Sequence, residues 1–213
     1  MIPSDDLKRQ LTNMTAENPP KPKVSRKQQI LQALAEMLEQ TPGGRITTAG
    51  LARQVGVSEA ALYRHFPSKA KMFDGLIEFI EDTVFSRVNI ILAENESTEV
   101  RCHNTLHLLL TFTERNPGIT RILTGDPLAG ESDRLRTRVA QFFYRFETQL
   151  RQMLRESELR EEKHPRVDVN IAANLMLAVI EGRISQYVRS DFSRSPTMGW
   201  DDQWQILRRS IFE

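Results

Sequence analysis

Apolar residues return every three to four positions along most of this chain, a period that predicts helices almost throughout. Ile30, Leu31, Leu34, Met37 and Leu38 form the first stripe, and Ser25 with Gln28 three residues later supplies a capping box at its start. The stripe stops at Thr41-Pro42-Gly43-Gly44, where proline and two glycines do not readily continue a helix. A short second helix carries Leu51, Ala52 and Val55, capped by Thr47 or Thr48, and Gly56 makes the tight turn after it. Ser58 caps a third helix, Glu59 to His65, which closes at Phe66-Pro67 because a residue before proline avoids the α region.

A long helix follows from Ser68, with Phe73, Leu76, Ile77, Ile80, Val84, Val88 and Ile91 down one side, and Asn95–Ser97 break it. A fifth helix from about Thr98 holds Leu106, Leu108, Leu109, Leu110 and Phe112 and meets a stop signal at Asn116-Pro117-Gly118. Beyond it come a short segment around Ile119–Thr124 and helices over about Ser132–Leu159, Asp168–Arg189 and Trp200–Phe212. No β-type alternation of useful length and no internal repeat interrupts this order, so the fold class expected is all-α.

With 213 residues and 39% hydrophobic content the chain can bury a sizeable core. No apolar run approaches the eighteen or so residues of a membrane span. Residues 1–24 are polar and proline-containing (Asn18-Pro19-Pro20-Lys21-Pro22), which predicts a disordered arm rather than a secretory leader. One cysteine, Cys102, forms no internal disulfide, which fits a reducing compartment and predicts a cytoplasmic protein. The net charge of +1 hides an uneven distribution, since residues 21–76 carry +5 and the remainder −4. The basic end is the one suited to phosphate contact.

Two short helices joined by a glycine-containing turn make a unit whose second helix can enter a DNA major groove, and Thr48 through Phe66 has that grammar. Small residues open the third helix (Ser58, Ala60, Ala61), hydroxyls of Thr47, Thr48 and Tyr63 suit phosphate oxygens, and Lys69 begins the next helix as an anion site. The same grammar also describes an ordinary helical hairpin in a bundle, and spacing alone leaves both open.

The run Ile46-Thr47-Thr48, Leu51-Ala52, Val55-Gly56-Val57-Ser58 and Leu62-Tyr63-Arg64-His65-Phe66-Pro67-Ser68-Lys69 resembles the DNA-binding signature of the TetR family over about fifty residues. The resemblance implies an all-helical homodimer on palindromic double-stranded DNA. Its expected regions are an arm at 1–24, a three-helix helix-turn-helix domain at 25–70, and a dimerisation and partner-binding domain at 71–213. DNA contacts are then expected from Thr47, Thr48, Val57, Ser58, Glu59, Ala60, Tyr63, Arg64, His65 and Lys69.

A narrower resemblance, to the nucleoid occlusion factors within that family, rests on Met72-Phe73-Asp74, Leu76-Ile77-Glu78-Phe79-Ile80-Glu81-Asp82, Glu114-Arg115-Asn116-Pro117-Gly118, Thr120-Arg121-Ile122-Leu123-Thr124-Gly125, Gln149-Leu150-Arg151-Gln152 and Val188-Arg189-Ser190. It implies a nucleoid-associated protein that, when DNA-bound, captures the C-terminal tail of the division protein FtsZ and blocks septum assembly. The residues it points to are Phe79, Arg87, Leu108, Thr111, Arg115 and Asn116; Thr111 stands where the resemblance leads one to expect glycine. Read from periodicity alone, Phe79 and Leu108 serve equally as interhelix core, with the arginines paired to neighbouring carboxylates. The alternative function is a TetR-type repressor released by a small-molecule inducer.

His103 and His107 lie four apart beside Cys102, but no third ligand is near, and they read as surface histidines; no metal or cofactor is expected. There is no glycine-rich phosphate loop, H-E-x-x-H or nucleophile elbow, and no enzyme is expected. The apolar surplus of the later helices (Leu135, Val139, Phe142, Phe143, Phe146, Leu150 and Leu154; then Ile171, Leu175, Leu177, Val179, Ile184 and Val188) either lines a cavity or forms a dimer seam. The seam is favoured, because two recognition helices must be held about one DNA turn apart.

Overall fold

The computed structural model describes residues 25–41, 44, 46–94, 97–128, 133–162 and 164–212, and among them every regular element is a helix. The expected arm at 1–24 lies outside the described residues, as do Pro42, Gly43, Asn95, Glu96 and Ser132, to which chain breaks or a helix start were assigned. The helices are α1 Arg26–Gln40, α2 Thr48–Val55, α3 Glu59–His65, α4 Lys69–Glu94, α5 Thr98–Arg115, α6 Pro117–Leu123, α7 Asp133–Arg160, α8 Val169–Arg189 and α9 Trp200–Phe212, with a 3-10 turn at Asp126–Leu128.

The first three helices start where the sequence places their caps. The Ser25 hydroxyl accepts from the Gln28 N–H (3.2 Å) while the Gln28 side chain accepts from the Ser25 N–H (2.9 Å), completing the capping box. Thr47, rather than Thr48, caps α2 by accepting from the Gly50 N–H, and Ser58 caps α3 through the Ala61 N–H. Gly56 ends α2 at φ 73°, a left-handed conformation that suits a residue without a side chain.

The stop expected at Asn116-Pro117-Gly118 proves to be a junction. Asn116 alone separates α5 from α6, and Pro117 takes the first position of α6, where its missing N–H costs nothing. Gly118 serves packing rather than a turn: a Cβ there would sit 2.0 Å from the Ala35 carbonyl oxygen. α6 is thereby pressed onto α1, with Gly118 through Leu123 all buried. Arg121, 1% exposed, donates from Nη1 to the carbonyls of Leu38 (2.6 Å) and Thr41 (2.8 Å) at the C-terminal end of α1, and from Nε to Asp126 (2.6 Å).

The C-terminal helices close a second part of the same core. α7 and α8 pack along one another, and Leu135, Val139, Phe142, Phe146, Leu150, Leu154, Leu177 and Ile184 are all buried within the protomer. Most of the apolar surplus is therefore internal packing. The large apolar side chains these two helices leave exposed are Tyr144, Leu159, Ile171 and Leu175. His103 and His107 also differ from the expectation of surface residues: their rings stack at 5.9 Å and pack beneath α9, His103 lying 6.1 Å from Trp200 and 5.4 Å from Trp204. Burial, with the neighbouring His103 second, lowers the His107 pKa. Cys102 is fully buried and its thiol is pushed up to about 12, which removes it from thiolate chemistry.

Asp74 joins α4 to α7. Its buried carboxylate is ion-paired to Arg134, to Lys71 (3.2 Å) and to Arg138 (3.4 Å), and Arg138 also donates to Glu81 (2.6 Å). Burial alone would raise its pKa, but the bonds from Arg134 and Lys71 outweigh it and hold the carboxyl below its ordinary 3.8.

Two outcomes follow for stability. Gly118→Ala should lower unfolding free energy by about 2 kcal/mol or more, read as a shift in the urea midpoint, because two backbones must separate to admit the methyl group. Asp74→Asn should cost about 1–2 kcal/mol at pH 7. A depressed carboxylate stabilises the fold above its unfolded value and loses that contribution as pH falls through the folded value, so the gap between wild type and Asp74→Asn should close below pH 3.8 in acid titrations followed by circular dichroism.

Candidate nucleic-acid interface and partner groove

α3 is anchored by one side chain. Leu62 is fully buried against the core, which leaves Ala60 and Arg64 on the opposite side of a seven-residue helix and Glu59 and Tyr63 exposed on its flank. Ala60 and Ser58 are exposed at its start, where small side chains let the backbone approach base edges, and Tyr63 is exposed one turn later. α2 is fixed to α3 by the Thr48 hydroxyl, which donates to Glu59 (2.8 Å), and to α1 by Gln54, which donates to Glu36 (3.2 Å). Thr47 and Ser58 spend their hydroxyl oxygens as helix caps, Val57 is half-buried, and Lys69 lies at the α4 start with its ammonium 5.6 Å from the Phe73 ring centre. Arg64 and His65 close the basic end of α3.

Those two residues also border a concavity of about 370 Å³ whose floor is Ile30, Val57 and Ala61 and whose third basic member is Arg26. Arg26 was absent from the sequence-derived contacts. Its signal is a cation in the first turn of α1, where the helix dipole disfavours positive charge and no acidic residue offsets it.

The second set of residues lies on two helices packed against each other, Phe79 and Arg87 on α4, Leu108, Thr111 and Arg115 on α5, with Asn116 directly after it. The Phe79 and Phe112 rings lie 6.4 Å apart, fixing the two helices side by side, and Phe79 is 45% exposed despite that contact. Leu108 and Thr111 are half-buried on α5, and Arg87 and Arg115 are exposed. Neither arginine makes a hydrogen bond or ion pair with any described residue. Asn116 uses its amide to donate to the Phe112 carbonyl (2.7 Å), which closes α5 locally. Among the described residues no group of three or more His, Cys, Asp or Glu is arranged to hold a metal ion, and no helix is long and apolar enough to cross a membrane.

Residues 30–76 match the family model for bacterial regulatory proteins of the tetR family, and residues 96–211 match the SlmA-like model for a tetracyclin repressor-like C-terminal domain. Solved structures share the fold: a TetR transcription regulator from Haloarcula marismortui at TM-score 0.74 and 17% identity, covering 88% of this chain and 98% of that one, and the regulator FadR from Bacillus subtilis, solved with stearoyl-CoA, at 0.69 and 17%, covering 86% and 98%. Fold and helix-turn-helix together define a TetR-type DNA-binding protein. Sequence relatives are more specific. The nucleoid occlusion factor SlmA of Shewanella denitrificans is 58% identical over 190 residues, covering 89% of this chain and 96% of that protein, and that of Shewanella amazonensis is 58% identical over 193 residues, covering 91% and 98%. This chain belongs to the SlmA family of nucleoid occlusion factors.

Tyr63 is exposed and holds no helix cap, so its substitution tests DNA contact apart from folding. Tyr63→Ala should weaken binding to a palindromic site about ten-fold in fluorescence anisotropy while leaving the melting temperature unchanged. Thr47→Ala should lower both, because it also removes a helix cap worth about 1 kcal/mol.

Proposed function

We propose that this protein is a nucleoid occlusion factor that binds palindromic chromosomal sites as a homodimer and, when DNA-bound, captures the C-terminal tail of FtsZ, blocking septum assembly over the nucleoid. Residues 25–70 form the DNA-binding unit and 71–213 the dimerisation and partner unit, acting in the cytoplasm at the nucleoid. The observation that carries the reading is the α4–α5 groove, where Arg87 and Arg115 stand unpaired beside Phe79 and Leu108 in a chain 58% identical to SlmA proteins. Two available guanidinium groups beside apolar side chains complement a peptide carrying hydrophobic anchors and carboxylates.

Dimerisation is supported by the exposed Tyr144, Ile171 and Leu175 of α7 and α8, and by Gly182 in the interior of α8. A Cβ at Gly182 would meet nothing within 4 Å in the protomer, so the protomer itself gives no packing reason for a residue that weakens a helix; close approach of a second copy does. A two-fold axis through that face holds two recognition helices about one DNA turn apart, roughly 34 Å. An inducer-released repressor needs an interior cavity in the C-terminal bundle. Phe142, Phe146, Leu150 and Trp200 are buried in that interior.

The test is anisotropy of a fluorescein-labelled FtsZ tail peptide titrated with this protein, with and without a palindromic site obtained by in vitro selection. The tail should bind, and more tightly with that DNA present. Arg87→Asp should weaken tail binding about a hundred-fold and leave DNA affinity unchanged. DNA binding with no affinity for the tail would leave a conventional TetR-type regulator.

A further inference from the structure

The α4–α5 groove continues past the residues that the family resemblance marks. α4 ends at Glu94 and α5 starts at Thr98, and the Phe79–Phe112 contact lies fifteen residues before that end on α4 and fourteen after that start on α5, so the antiparallel register is constant along the pair. In that register Ile90 of α4 comes level with the Val100–Arg101 step of α5. At about 100° per residue, Phe79, Thr83, Ser86, Arg87 and Ile90 fall within one arc of about 100°, and Val100, Asn104, Leu108, Thr111 and Arg115 within about 80°.

Ile90 is 42% exposed and Val100 43%, values matching Phe79 at the other end. Two large apolar residues on adjacent helices are thus at the same level in this register and both exposed. Arg101 beside them is buried and drawn to Glu156 (3.4 Å), so it adds no cation there. Between Phe79 and this pair stand the small Thr83 and Ser86, with Arg87 as the cation.

We infer that the groove is bipartite: one acidic peptide segment seats one apolar anchor between Phe79 and Leu108, a carboxylate on Arg87, and a second apolar anchor on Ile90 and Val100. The inference rests on the tail-capture reading above. It adds a length to it, because Phe79 and Ile90 are eleven residues apart on one helix, or about 16 Å. An extended segment bridges that span in about five residues and a helical one in about three turns. The charge pattern favours one polarity of occupant: Arg87 lies between the two apolar positions and exposed Glu94 falls in the same arc one turn beyond Ile90, which suits an apolar–acidic–apolar segment whose carboxylate precedes its second anchor.

The experiment uses the full chain with its palindromic DNA and the labelled FtsZ tail peptide, comparing wild type with Ile90→Ser, Val100→Ser and the double variant. Serine is chosen because it removes apolar area without adding charge that would act on the peptide at a distance. Each single variant should weaken tail binding about five-fold and the pair about twenty-fold, with the melting temperature and DNA affinity as controls for folding. A peptide whose second apolar anchor is replaced by serine should bind wild type about twenty-fold more weakly and show no further loss on the double variant, the signature of a shared contact. Wild-type affinity in both single variants and the double variant, alongside a large loss for Arg87→Asp, would overturn the second anchor position and leave tail capture standing. No tail binding by wild type would overturn both.

Discussion

Gly118 has no room for a side chain because the backbone of α6 lies directly on the backbone of α1, and that contact sets the position of both ends of the molecule. Arg121, three residues on, brings a buried cation to the carbonyls that end α1, the negative end of its dipole, with Asp126 supplying the opposing charge. A lone buried guanidinium would cost several kcal/mol; here carbonyls, dipole and carboxylate offset that cost, and the side chain acts as a peg that fits one placement of α1. The other end of α1 carries Arg26 beside α3, and the residue before α6 is Asn116, at the end of the candidate groove. The DNA-facing surface and that end of the groove are thus fastened to the same short helix.

Within the helix-turn-helix, the same residue types are asked to do two things. Ser and Thr hydroxyls are good phosphate ligands and good helix caps: one that accepts an N–H keeps its own O–H for a phosphate, whereas one that donates inside the protein is committed there. Thr47 and Ser58 cap, and Thr48 donates to Glu59 and so locks α2 against α3. Tyr63, Arg64 and His65 are exposed around a helix that the buried Leu62 anchors, with Arg64 on the side opposite it. One apolar contact and three short-range hydrogen bonds therefore determine the outward face of the helix, which explains how seven residues suffice to form it.

The parts of this architecture that were legible in the sequence are those decided within a few residues. Ser25, Thr47, Ser58 and Asp168 begin helices through contacts two or three positions away, and Gly56 ends one through its own backbone. The stop at Asn116-Pro117-Gly118 holds, since α5 ends at Arg115, but the start of α6 at Pro117 had no distinct mark, because the same dipeptide suits a stop and a start and the contact with Ala35 that packs α6 is more than eighty positions earlier. Arg121 carries no local mark, since the carbonyls it holds are 80 and 83 residues away in sequence. His103 and His107 were assigned to the surface because nothing near them indicates that α9 folds back over them. On α7 and α8 the apolar pattern is dense enough to hide which side faces out, and Tyr144, the most exposed large apolar residue of the central part of α7, was missed.

The charged residues of the candidate groove were legible in a different way, through contrast. Arg101 reaches Glu156, Arg121 reaches Asp126, Arg134 and Arg138 share Asp74, Arg208 reaches Glu99 (2.6 Å), Arg183 is held by the Pro196 and Met198 carbonyls and Gln203, and Arg145 lies over the Phe85 ring (3.8 Å), so each of these arginines at an element contact is matched by a partner inside the protein. Arg87 and Arg115 are not, although they too stand at the edge of a helix pair. An exposed arginine carries little energetic penalty alone, so stability does not account for their placement. Placed beside Phe79 and Leu108, however, they make a surface on which an arriving carboxylate gains a charge-assisted bond without first displacing an internal partner. Among the described residues, the candidate groove therefore offers two guanidinium groups that no internal partner already holds.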